Sequence, residues 1–375
     1  MQFSYEILPT PEGPAFLRRG SKATLAATDS IVFDCDGVLI DTRNSYDSAI
    51  TFTADYLIRR MFNVELPWRS VSQSLIQGLR NTGMFNNDWD TVYAITLFVS
   101  SSLPSAYQAN LSNGERETRA RPMKMPASKA RGVFKGASSL LGILEEAPAK
   151  GGDLSAAEAV WKVLPADSLG LSRRVREFLG YPGNPPASLL ASFFDEVYHG
   201  GALYRKMYGL KPRYHSGPGL IERDRLIARP RDLAPLAAAS NGRLAIATGR
   251  PRQAAEYSLG RLLSYFRLDA SVFIGDGDIK PSPEAAAFRK PSGKSLLWAE
   301  SRFHSKGLLY IGDSAEDLQM VKNARESADG LAFAGVYKTS YDPAKQLQFF
   351  KGEGAELILP SVRGMTRVMR EVAAS

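Results

Sequence analysis

The stretch IVFDCDGVLIDT, residues 31–42, decides how this chain is read. An apolar run, Ile31 to Phe33, leads straight into Asp34 and Asp36, and Asp41 follows five residues later. Carboxylates that close repel one another, so a fold that gathers them needs a positive partner or a shared proton to offset the repulsion. A short apolar strand ending in acids places that need at the end of the strand.

Working outward, four further segments have the same form. They are RLAIA before Thr248, SVFIG at 271–275, GLLYIG before Asp313, and LAFAGVY at 331–337. Each is short and apolar, as strands buried on both faces are. Helical patterns follow several of them, among them PRQAAEYSLGRLLSYF after Arg250 and AEDLQMVKNAR after Ser314. Strands alternating with helices predict an α/β fold, a Rossmann-like doubly wound parallel sheet whose site lies beyond the C-terminal strand ends.

The alternation breaks between about 43 and 225. That interval reads as an inserted, mainly helical domain, with TRNSYDSAITFTADYLIRRMF as its first helix and a second helical stretch from Ala156 to Tyr208. Residues 101–155, rich in Ser, Pro, Gly, Ala and Lys, read as a long loop or partly disordered insertion with ASSLLGILEEA as a short helix. The expected division is an N-terminal extension 1–27, an α/β core of 28–42 plus 225–375, and a helical cap 43–224.

At 375 residues the chain suits two domains. No apolar run approaches the roughly 18 residues of a membrane span. The N-terminus has no basic start followed by an apolar core, so no secretory signal is expected and the chain reads as cytoplasmic. The single cysteine, Cys35, excludes an intramolecular disulfide, and strand alternation turns it away from Asp34 and Asp36 as a buried structural thiol. His199, His215 and His304 have no metal-ligand spacing.

The net charge is +8, and much of it sits in residues 115–135. Seven basic residues there (Arg116, Arg119, Arg121, Lys124, Lys129, Arg131, Lys135) against Glu115 and Glu117 leave 7 − 2 = +5. The run suits nucleic acid or an acidic partner, but aromatic residues do not interleave with it, and a solvated basic loop is the preferred reading.

Taken in order, Asp34-Cys-Asp36-Gly-Val, the strand ending at Thr248, a lysine at Lys280 or Lys290, and Gly312-Asp313 through Asp317 resemble the four motifs of the haloacid dehalogenase superfamily of phosphohydrolases. In addition, GMFNNDWDTVYAI (83–95), PGLIERDRLI (218–227) and LAIATGRPR (244–252) resemble an uncharacterised, largely archaeal subgroup of it. The likeness covers most of 30–100 and 193–325, and 101–190 stands outside it.

The resemblance implies a Mg²⁺-dependent phosphatase acting on a small phosphorylated metabolite through an aspartyl-phosphate. Asp34 is then the nucleophile and Asp36 the acid and base. Thr248, Gly249 and Arg250 would receive phosphate, with a surface salt bridge as the plainer use of Arg250. Asp34, the Asp36 carbonyl and Asp313 would hold Mg²⁺, and Asp317 would support the lysine or the metal shell. Such lysines usually stand about twenty residues before the last motif, which favours Lys290, 22 residues before Gly312, over Lys280. In the cap, Asn86 and Asn87 are candidate substrate contacts, with helix capping as their equal alternative. The rival functions are a phosphomutase on the same site, a dehalogenase, and a binding protein using the basic run.

Overall fold

The computed structural model of the chain describes residues 3–67, 72–82, 84–85, 87–111, 121–146 and 156–373. These form two compact units, residues 1–42 with 223–375 and residues 43–222.

The first unit is built on an eight-stranded sheet. In chain order its strands are β1 (Tyr5–Thr10), β2 (Gly13–Arg18), β3 (Ser30–Phe33), β4 (Leu244–Thr248), β5 (Val272–Phe273), β6 (Leu308–Gly312), β7 (Leu331–Val336) and β8 (Leu357–Leu359). Across the sheet they lie in the order β1-β2-β8-β7-β6-β3-β4-β5. The six from β8 to β5 run parallel, and the hairpin β1-β2 adds to β8 antiparallel. From β3 the chain winds outward through β4 and β5, then returns to β6 on the other flank and winds the opposite way. The direction reverses between β3 and β6, and a reversal of this kind opens a crevice at the carboxyl ends of the strands.

Period-two alternation explains why both faces are covered. Ile31 and Phe33 point into one apolar cluster with Leu309 and Ile311, while Val32 points into the opposite cluster with Leu308 and Tyr310. The helix Lys294–Phe303 closes the second face with Leu296, Ala299 and Phe303. Two expectations change here. SVFIG pairs over only Val272–Phe273, and the segment read as an N-terminal extension is a paired hairpin of the sheet.

The second unit is helical. Its centre is the helix Asp88–Ser102, in which eleven residues are buried, from Trp89 to Ser100. A helix covered on all sides is a core element, and the helices Arg43–Phe62 and Ala127–Glu146 pack on it. Ala127–Glu146 corrects the reading of 101–155 as a loop. Ala130, Val133, Phe134, Ala137, Leu140, Leu141 and Leu144 are buried at three- and four-residue spacing, one helical stripe. Arg121, Lys124, Lys129, Arg131 and Lys135 are exposed, and Arg116 and Arg119 lie outside the described residues. Among the described residues no helix is long and apolar enough to cross a membrane.

Candidate active site

All the core motifs converge on the carboxyl ends of three neighbouring strands, β6, β3 and β4. Asp34 follows β3 directly, and its N–H donates to Ile311 O at 2.9 Å, so the pairing with β6 fixes where it leaves the sheet. The chain then turns sharply. The N–H groups of Leu39 and Ile40 return to Cys35 O at 2.8 and 2.9 Å, and Gly37 N–H donates to Ile40 O at 2.8 Å. Gly37 has φ +74°, and a Cβ there would stand 1.9 Å from Asp313 Oδ2. Only glycine combines that backbone conformation with so close an approach. The turn therefore seats the Asp313 carboxylate against the loop that carries Asp34 and Asp36.

Asp317 organises the other side. It is the third residue of a capping box, with Ser314 Oγ accepting from Asp317 N–H at 3.1 Å. Its Oδ2 accepts from Asp313 N–H and Ser314 N–H, each at 3.1 Å, and from Ser314 Oγ at 2.8 Å. Its Oδ1 accepts from Lys290 Nζ at 2.7 Å and Tyr310 Oη at 2.8 Å. Five donors exceed the roughly four lone-pair sites of a carboxylate. Burial alone would raise this acid, but Lys290, Ser314 and Tyr310 outweigh it and hold the group below the usual carboxylate range.

Lys290 links the two sides, donating also to Asp34 Oδ2 at 2.9 Å. It is only 10% exposed, whereas Lys280 is exposed. Burial works against the ammonium, yet Asp317 and Asp34 together keep its pKa well above the ordinary lysine value. Asp34 also accepts from Cys35 N–H at 2.7 Å. Its carboxyl is pushed up to about 7, first by burial and then by the charges of Asp317 and Asp36, with Lys290 opposing. Asp313 is raised well above the usual range in the same way, by burial and then by Asp317 and Asp34.

Lys290 thus bridges the buried Asp34 and Asp317, and the half-buried Asp313 stands beside them, the oxygens of the three acids lying within 4.8 Å of one another. Hard carboxylate oxygens short of positive charge fit a hard dication such as Mg²⁺. Since Asp317 is already saturated, Asp34 and Asp313 are the acids of this set with oxygens left to hold such an ion.

The remaining residues fall into place differently from one another. Thr248 ends β4 and is fully buried, with Oγ1 accepting from Arg250 N–H at 3.3 Å, and Gly249 beside it is exposed. Arg250 is fully buried as well, and its guanidinium is engaged with Asp36 and Asp224. That geometry makes it a partner of acids instead of the open phosphate or substrate receptor expected from the sequence. Cys35 is buried in the apolar core, and burial pushes its thiol up. In the helical unit, Asn87 caps Asp88–Ser102, its Oδ1 accepting from Trp89 N–H at 2.9 Å. Asn86 lies outside the described residues. The sequence reading overlooked Asp224, Ser258 and Tyr310. Of these only Asp224 carried a signal, through its place in PGLIERDRLI.

No family model and no curated protein matches the chain. Solved structures do. An X-ray structure of a structural-genomics target matches with a TM-score of 0.53 and 16% identity, covering 92% of this chain and 99% of that one. The phosphatase Tt82 from Thermococcus thioreducens matches with a TM-score of 0.50 and 25% identity, covering 86% of this chain and 99% of that one.

Proposed function

We propose that this chain, whose fold is that of the haloacid dehalogenase-type hydrolases, is a Mg²⁺-dependent phosphatase acting on a small phosphomonoester. The observation that carries the reading is the linkage Asp34–Lys290–Asp317 with Asp313 alongside, at the switch point of the sheet. Likeness to a phosphatase over most of both chains supports the same class of reaction.

In this reading Asp34 attacks phosphorus through a carboxylate oxygen while the bond to the leaving oxygen breaks, giving an aspartyl-phosphate. Lys290 holds the attacking carboxylate in place from the Asp317 side. Asp36 gives its proton to the leaving alcohol, and later takes one from the water that hydrolyses the acyl phosphate. The exposed Gly249 backbone and the Thr248 strand end face the phosphoryl oxygens. Asp34, the Asp36 carbonyl and Asp313 would hold Mg²⁺, which when bound neutralises negative charge on the phosphoryl group.

The test is phosphate release from sugar phosphates, phosphoglycolate, nucleotides and 4-nitrophenyl phosphate, with Mg²⁺ and with EDTA. Release that needs Mg²⁺ is expected. A folded protein that releases nothing, or that moves a phosphate between positions without releasing it, would remove the phosphatase assignment.

A further inference from the structure

Arg250 is the largest fully buried side chain among the described residues, with no side-chain exposure. A guanidinium keeps its charge in any environment, so burying one requires compensation by acids and acceptors. Asp224, only 4% exposed, provides one negative charge: its Oδ2 accepts from Arg250 Nη1 at 2.8 Å. Ser258 binds both, accepting from Nη1 at 2.9 Å and donating to Asp224 Oδ2 at 2.8 Å. That arrangement already balances the charge of Arg250.

The other edge of the guanidinium is turned to Asp36. Nε at 3.0 Å and Nη2 at 2.7 Å both donate to Oδ1, and neither of these bonds goes to Oδ2. Asp36 is 31% exposed, and although burial still raises its carboxyl, Arg250 opposes that rise. With both bonds on one oxygen, the clamp also fixes a rotamer. Backbone geometry supports the same end. Asp224 immediately precedes the short strand Arg225–Leu226, which pairs antiparallel with Ile40–Asp41 at the exit of the turn that carries Asp36. Ser258 comes from the helix Arg252–Leu259 that follows Arg250. Three separate segments thus meet on one guanidinium.

We infer that Asp224 and Ser258 are positioning residues, which hold Arg250 so that it aims the Asp36 carboxyl at the leaving oxygen. The inference rests on the phosphatase reading. In the step concerned, the Asp34 oxygen bonds to phosphorus, the bond from phosphorus to the leaving oxygen breaks, and the proton on Asp36 passes to that oxygen. A misaimed Asp36 slows this step in proportion to how much the leaving group needs the proton. Phenol needs it more than 4-nitrophenol does.

The experiment compares kcat and KM for phenyl phosphate and 4-nitrophenyl phosphate, with Mg²⁺, in wild type, Asp224→Asn and Ser258→Ala. Thermal melting establishes that each variant is folded at the assay temperature. In Asp224→Asn the kcat for phenyl phosphate should fall about tenfold further than that for 4-nitrophenyl phosphate, with KM values little changed, because positioned proton transfer is worth about 10²–10⁴-fold and is here only misaligned. Ser258→Ala should move the ratio the same way by about threefold, and it decides the matter if Asp224→Asn does not fold. Equal losses on both substrates would overturn the inference and leave Asp224 and Ser258 as packing residues. Inactivity of the wild type itself on both esters would overturn the inference, and joined with inactivity on the whole panel above it would overturn the phosphatase reading as well; either is told apart by occurring before any substitution.

Discussion

Both units bury carboxylates, and they treat them in opposite ways. In the helical unit Glu196 is fully buried, and its two oxygens accept from Arg213 N–H at 2.9 Å, Tyr214 N–H at 2.6 Å and His215 N–H at 2.8 Å. One acid is there matched to one loop. In the α/β unit Asp34 and Asp317 share Lys290, Asp313 lies beside them, and Asp317 takes most of the available donors. A buried acid with its own donors tethers structure. A crowd of acids short of positive charge is costly in isolation, and a bound cation would offset that cost.

The largest expected difference is in catalysis. Asp34→Asn should lower phosphate release by about 10⁴-fold or more, since the amide is no nucleophile. The same substitution relieves repulsion, so in EDTA its melting temperature should equal or exceed that of wild type. A large destabilisation would place Asp34 in the class of Glu196. Next, Lys290→Ala should cost about 10²-fold in kcat, while Lys280→Ala should stay within about twofold. Equal effects of the two would remove Lys290 from the site.

Glu196→Ala should behave in the opposite sense to Asp34→Asn. It leaves three part-buried N–H groups without their buried acceptor and should destabilise the protein by about 3 kcal/mol in denaturant melts. A loss below about 1 kcal/mol would mean that solvent or another acceptor replaces it.

The smallest expected effect is on stability against pH. The folded pKa of Asp34 is raised, from 3.8 to about 7, and Asp313 shifts in the same direction. A raised carboxylate contributes stability that is fully present below its unfolded pKa and is lost as pH rises through the folded value. Metal-free protein should therefore melt lower at pH 8 than at pH 5.5, by about 3 °C or more, and Mg²⁺ should restore most of the loss at pH 8. Melting in EDTA that is flat or rises across this range would contradict the crowding on the Asp34 side.

Much of the α/β unit was legible because parallel strands buried on both faces leave continuous apolar runs, and here acids or threonine punctuate their ends. The hairpin β1-β2 was not, because Pro9 and Pro14 interrupt its apolar alternation. The two stand opposite one another in the register, Pro9 on the edge strand itself, where a missing N–H group is tolerated. β8 spans only Leu357–Leu359, too short for a pattern. The helix Ala127–Glu146 carries a regular apolar stripe, but serine, glycine and lysine fill its other face and masked it within a low-complexity stretch. In the site, Asp34, Asp36, Asp313 and the lysine were readable from order along the chain. The use made of Arg250 was not, since Asp224 and Ser258 reach it from other segments. Asn87 was equally open to capping and to substrate contact, and its side chain forms the cap.

Turnover by the proposed route requires that Asp34 become phosphorylated. The direct measurement is mass spectrometry of wild-type protein quenched in acid during turnover of its best substrate with Mg²⁺. One phosphoryl group on the peptide that contains Asp34, absent from Asp34→Asn, is the predicted result. Phosphate release with that peptide unmodified, or sustained turnover by Asp34→Asn, would contradict it.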